Sequence, residues 1–226
     1  MASTTAVAAP HRVATARLAA AALAPAPHLL RRALGLLAAS HAYEALSTIV
    51  ITARSSVTPA TTTRTRDIVV HAAGRWERWI HLVRTGNLVE DEVFTTSAHC
   101  ILVRSIRPGW QCAADGTFVD PANRSYLGGQ RWMDLGRGVR AVQAVHGYRT
   151  SLRTVGSAAA STIVTEWVSP ATGRLVEEDT VYPRSTGNPP VRFTQSTVRL
   201  FSNWNSPRLR RQLPHVPSAE LPNQLG

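Results

Sequence analysis

The chain has 226 residues, enough for one substantial core, and 44% of them are apolar, too many for a disordered protein. Its net charge is +11 and its 25 cations are all arginines, scattered singly or in pairs such as Arg31-Arg32 and Arg210-Arg211. No basic helix, RNP-type aromatic strand or zinc finger accompanies them, so a nucleic-acid partner is not expected, while an anionic membrane surface stays a candidate on charge alone.

Residues 1 to 27 carry no acid and place Arg12 and Arg17 before Leu18–Ala24 and the small Pro25-Ala-Pro27. That is the order of a secretory signal, although a disordered leader has the same composition. Neither cysteine lies near the N-terminus, so a lipobox is missing. No later segment approaches the roughly 20 apolar residues that span a bilayer as a helix. From His28 the stripe Leu29, Leu30, Ala33, Leu34, Leu37 and Ala38 has helical spacing, and an amphipathic helix is expected near residues 29 to 45.

Short β-branched runs follow at Thr48–Thr52, Thr65–His71, Trp76–Val83, Leu88–Phe94 and Cys100–Arg104, separated by turn signals such as Ala73-Gly74 and Gly86-Asn87. This spacing predicts an antiparallel meander. Cys100 and Cys112 flank a turn at Arg107-Pro108-Gly109. A hairpin centred on Ile106 sets them opposite one another, about 4.5 Å apart, within disulfide reach. In an exported protein the bond is expected; in a reducing cytosol the same residues would be two buried thiols.

Asp115 to Gly129 reads as a loop, and Trp132 to Val145 as a second helix weakened by Gly136 and Gly138, each costing about 1 kcal/mol relative to alanine. Strands resume at Tyr148–Val155, then form a hairpin from Thr162–Val168 and Arg174–Tyr182 about the turn Ser169-Pro-Ala-Thr-Gly173. The last strand is Val191–Phe201, and the proline-rich tail from residue 208 is expected to be disordered.

Residues that could carry chemistry do not assemble. His71, His81 and His99 lie on neighbouring predicted strands without a close ligand pair, so no metal site is expected. Glu90-Asp91-Glu92 and Glu177-Glu178-Asp179 read as charged solvent faces, and Gly136-Arg-Gly138-Val-Arg-Ala141 lacks the buried strand and ribose-binding acid of a dinucleotide site. With no G-x-S-x-G, P-loop, H-E-x-x-H or C-x-x-C, no catalytic residue is nominated, no cofactor is expected, and the protein is read as a non-enzyme. Trp76 and Trp79, three apart on one strand, must point to opposite faces.

The order of elements and two phrases, Glu166-Trp-Val-Ser-Pro-Ala-Thr-Gly-Arg-Leu175 and Leu200-Phe-Ser-Asn-Trp-Asn-Ser-Pro207, resemble the LolA-like superfamily, in particular its LppX/LprG-type envelope lipoproteins. The similarity covers residues 28 to 207, with Ser169 and Asn203 standing where that family usually has aspartate. The resemblance implies an α+β fold: a strongly curved antiparallel sheet, an incomplete barrel, with helices on its concave face. It also implies an apolar cavity that holds a lipid or other hydrophobic molecule for carriage or sensing at the cell envelope, without chemistry. One alternation parity per strand, with the helix stripe, puts Leu34, Leu37, Ile49, Ile51, Ile80, Leu82, Ile101, Val103, Ile163 and Trp167 on its wall. The alternatives are a ligand-free interaction or sensor module of the same fold, and a basic nucleic-acid-associated protein.

Overall fold

The computed structural model describes residues 24–53, 61–72, 75–84, 90–95, 98–103, 109–114, 122, 124, 127, 129–153, 161–186 and 191–216. The leader before Ala24 and most of the 115–129 segment lie outside them. Twelve strands form one sheet: β1 (Ala24–Pro25), β2 (Ala42–Ala53), β3 (Thr61–Ala72), β4 (Arg75–Arg84), β5 (Glu90–Thr95), β6 (Ala98–Val103), β7 (Gln111–Ala114), β8 (Arg131–Arg140), β9 (Gln143–Arg153), β10 (Ser161–Val168), β11 (Leu175–Thr186) and β12 (Val191–Ser202). Their order is β1-β8-β9-β10-β11-β12-β2-β3-β4-β5-β6-β7, every pair is antiparallel, and among the described residues β1 and β7 do not pair with each other. Two meanders, β2–β7 and β8–β12, are therefore joined by the pairing of β12 with β2.

Helix α1 (His28–Ala38) is shorter than the sequence suggests. It ends because the Ser40 hydroxyl donates to the Leu37 carbonyl (2.7 Å) and the chain enters β2 at Ala42. From there Tyr43, Ala45 and Ser47 alternate towards one face; all three pair with β3, and Ala45 and Ser47 also pair with β12. Most of the apolar stripe of α1 is buried: Leu30, Ala33, Leu34 and Leu37 join Tyr43, Ala45, Val69, Tyr148, Val168 and Phe201 in the main core, while Leu29 is half-buried and Ala38 exposed. A second core, Ala42, Ile68, Val70 and Leu209, lies on the opposite parity of β2 and β3, beneath α2 (Pro207–Arg210). The tail thus contributes at least Leu209, 1% exposed, and Leu213, packed beside it.

The helix expected over Trp132 to Val145 is instead the β8–β9 hairpin. Its glycines serve strands. Gly136 has a φ of +76° at a β-bulge opposite Gly147, and a Cβ on Gly147 would lie 2.4 Å from the Trp167 ring. The bulge needs a left-handed residue and the indole needs bare backbone, and glycine supplies both. The predicted turn after β10 is present: Gly173 (φ +69°) donates to the Ser169 carbonyl at 2.8 Å.

Cys100 and Cys112 are directly opposed on β6 and β7 and joined by a disulfide. Gly109 of the intervening turn is exposed, while Arg107 and Pro108 lie outside the described residues.

Candidate ligand-binding cavity

Residues directly opposite one another in antiparallel strands share a face, so the register fixes the cavity wall. Three rows cross four neighbouring strands from β11 to β3. They are Glu178, Arg199, Ser47, Thr65; then Thr180, Thr197, Ile49, Thr63; then Tyr182, Gln195, Ile51, Thr61. All but Thr61 line a cleft of about 770 Å³, which Asp67 on β3, Arg78 and Ile80 on β4 and Glu92 on β5 complete. Side chains from six successive strands can surround one space only if the sheet bends around it. The first row borders the main core, because the next residues along β12 and β2 with the same parity are Phe201 and Ala45.

The wall is more polar than expected. Its aliphatic members are Ile49, Ile51 and Ile80, half-buried, and among the acids Asp67 and Glu178 are buried. Arg78 clasps Asp67 through two nitrogens, at 3.0 and 2.6 Å. Arg199 donates to one oxygen of Glu178 at 3.1 Å, and Arg124 lies 3.1 Å from the other. Glu92 stands 3.4 Å from His99 Nε2. Directly opposite Glu178 on β10, Glu166 is wholly buried, and no donor among the described residues reaches its carboxyl oxygens. Burial, then the negative charge of Glu178, raises the Glu166 pKa well above the usual carboxyl range. Burial likewise raises the Tyr43 phenol.

Of the ten wall residues expected from the sequence, Ile49, Ile51 and Ile80 line the cleft. Leu34 and Leu37 are in the adjoining main core. Ile101 is half-buried opposite Glu92, one strand beyond the lining residues. The backbone of Leu82 pairs with Thr65 and that of Val103 with Glu90, but their side chains lie outside the described residues.

Ile163 and Trp167 are on the other face. They pair with Val181 and Glu177, whereas the cleft takes the opposite parity of β11. Ile163 is 39% exposed. Trp167 lies over Gly147, its Nε1 donates to Asp179 at 3.0 Å, and the Arg140 guanidinium stacks 3.9 Å from its ring centre. Arg140 also pairs with Glu177 at 2.9 Å. The run Glu177-Glu178-Asp179, expected as a solvent face, is thus divided between two partly dry environments, each with its own arginines.

Sequence reasoning assigned apolar side chains inward by default and so missed Thr65, Asp67, Arg78, Thr197 and Arg199. The signal was available in β3, where Thr61-Thr-Thr-Arg-Thr-Arg-Asp67 is polar at both parities and must place polar side chains on either face. Trp79 occupies the outer face, donating to Asp91 at 3.1 Å with Arg66 6.0 Å from its ring centre. The side chain of Trp76 lies outside the described residues. Among the described residues no group of three possible ligands could hold a metal ion, and no helix is long and apolar enough to cross a membrane.

No family model and no curated protein matches the sequence. Solved structures do match the fold. The lipoprotein LppX of Mycobacterium tuberculosis is similar over 79% of this chain and 94% of its own, with a TM-score of 0.52 and 11% identity. A LolA-superfamily protein of Nitrosomonas europaea is similar over 84% and 94%, with a TM-score of 0.32 and 9% identity. A DUF1329-family protein of Desulfovibrio piger is similar over 78% and 89%, with a TM-score of 0.34 and 9% identity. The chain shares the fold of LppX.

Proposed function

We propose that this protein binds a hydrophobic or amphiphilic molecule in the cleft enclosed by β2 to β5, β11 and β12, and carries or senses it at the cell envelope without altering it. The cleft itself carries this reading: about 770 Å³ is the size of a small-molecule site, and it lies within a sheet that bends around it. Each methylene removed from water there contributes about 0.8 kcal/mol, so a short acyl chain along Ile49, Ile51 and Ile80 would suffice for retention. Export is supported by the Cys100–Cys112 disulfide, a bond that persists in oxidising compartments. Similarity in fold to a lipoprotein points to the same compartment. In this reading α1 closes one end of the concave face, with its stripe in the adjoining core.

Native mass spectrometry of protein purified from its own host tests the proposal, with a co-purified amphiphile expected. Replacing Ile80 with tryptophan should then reduce the bound fraction at small cost in stability, because the ring enters ligand volume. In a ligand-free module no amphiphile co-purifies and the same change overpacks the wall, costing about 1 to 3 kcal/mol. That second outcome refutes the proposal.

A further inference from the structure

We infer that the cleft selects an uncharged, hydroxyl-bearing head group, seated inward against the β11–β12–β2–β3 wall, over an anionic one. The inference rests on the amphiphile reading and adds the chemistry of the polar end. Three carboxylates, Asp67, Glu92 and Glu178, face two guanidiniums, Arg78 and Arg199, across the lining. Arg124, on the other oxygen of Glu178, makes three cations to three anions among the described residues. Both lining arginines are engaged: Arg78 by both oxygens of Asp67, and Arg199 by Glu178 and, at 3.4 Å, by the Ser47 hydroxyl.

An incoming carboxylate or phosphate would have to share a guanidinium with the acid already paired to it, adding a negative charge that no further described cation of the lining offsets. A neutral polyol needs no such sharing. Thr63, Thr65, Thr180 and Thr197 present four hydroxyls on the same wall, and each is both a donor and an acceptor. Thr180 and Thr197 are directly opposed on β11 and β12. Beside them, Gln195 Nε2 lies 3.5 Å from the Thr197 hydroxyl oxygen. The rows therefore grade from ion pairs bordering the core, through hydroxyls, to Tyr182, Gln195 and Ile51. A head group with several hydroxyls would pair along the middle row while its tail follows the isoleucines.

Calorimetric titration of the full chain at neutral pH with 1-dodecanoylglycerol, dodecanoate and glycerol tests this, each below its aggregation concentration. We expect 1-dodecanoylglycerol to bind at least about tenfold more tightly than dodecanoate. The double variant Thr180→Val/Thr197→Val keeps β-branched shape and should lose about tenfold for the glycerol ester, with dodecanoate unchanged. Equal or tighter binding of dodecanoate, or equal losses for both ligands in the variant, overturns the head-group inference and leaves the amphiphile reading standing. Glycerol binding as tightly as its ester supports the head-group inference and overturns the amphiphile reading. Binding by none of the three overturns both.

Discussion

A methyl group added at Gly147 should be among the most damaging small substitutions in this protein. An alanine Cβ there would stand 2.4, 2.7 and 2.8 Å from three carbons of the Trp167 ring, against ordinary contacts of 3.4 to 4 Å. The indole would have to retreat by about 1 Å, a displacement that overpacking costs place at about 1 to 3 kcal/mol. It cannot retreat freely, because Nε1 donates to Asp179 at 3.0 Å and Arg140 stacks at 3.9 Å. Weakening a hydrogen bond to a charged group adds about 1 kcal/mol or more, so Gly147→Ala should cost about 2 to 4 kcal/mol. For a chain of this size that lowers Tm by about 5 to 15 °C.

Gly35→Ala is the matching control: nothing lies within 4 Å of its Cβ position in α1, and the change should stabilise by about 1 kcal/mol. Urea unfolding followed by tryptophan fluorescence and circular dichroism measures both. In a Trp167→Leu background the Gly147→Ala penalty should nearly vanish. A loss under about 0.5 kcal/mol in the parent, within the ordinary range for surface changes, refutes the steric account. The same full loss in both backgrounds would refute it too.

Other outcomes follow from the same geometry. Free-thiol titration of denatured, unreduced protein should find none, and replacing both Cys100 and Cys112 with alanine should cost about 3 kcal/mol in urea unfolding, the value for a loop of this length. Asn205 (φ +56°) accepts the His41 N–H at 2.7 Å, so Asn205→Ala should lose about 2 to 3 kcal/mol while Asn205→Gly, free of backbone strain, loses about 1. Glu166 holds its proton to a higher pH folded than unfolded, so its contribution is complete at low pH and is lost as pH rises from the ordinary carboxyl range towards the folded pKa. Glu166→Gln should therefore flatten the fall in Tm between acid and neutral pH and be the more stable protein at the neutral end. Comparison with the parent separates this group from Glu77, Glu177 and Asp179, whose carboxyls burial also raises.

The two phrases that carried the family resemblance prove to be structural. Ser169–Gly173 turns β10 into β11, and Asn203 and Asn205 fasten the end of β12 to the start of β2: Asn203 donates to Glu44, and Asn205 bonds His41 and Ala42. Such positions were legible because turns and caps demand particular residues locally. The opposed cysteines were legible for a similar reason, since a symmetric hairpin constrains register. What escaped was non-local. Whether Gly138 weakens a helix or makes room for a distant tryptophan depends on Trp167, about thirty residues further on. Whether Trp167 faces the cleft or the outer surface depends on the register of β10 with β11. Neither partner is visible in a local window.

The unpaired ends of the sheet bear on how the cleft can work. A sealed barrel has a fixed circumference, and changing its bore means breaking hydrogen bonds along a seam. Here β1, two residues ending in proline, and β7, stapled to β6 through Cys112, end the sheet without pairing to one another among the described residues. The β7 margin is blunted by its short, covalently tethered strand, whereas β1 covers only Arg131 and Trp132 of β8. The sheet can uncoil or tighten by distributing a few degrees of twist over its strands, with every ladder intact. Girth is then a soft coordinate, and guests of different breadth could enter and leave without any strand pair having to separate.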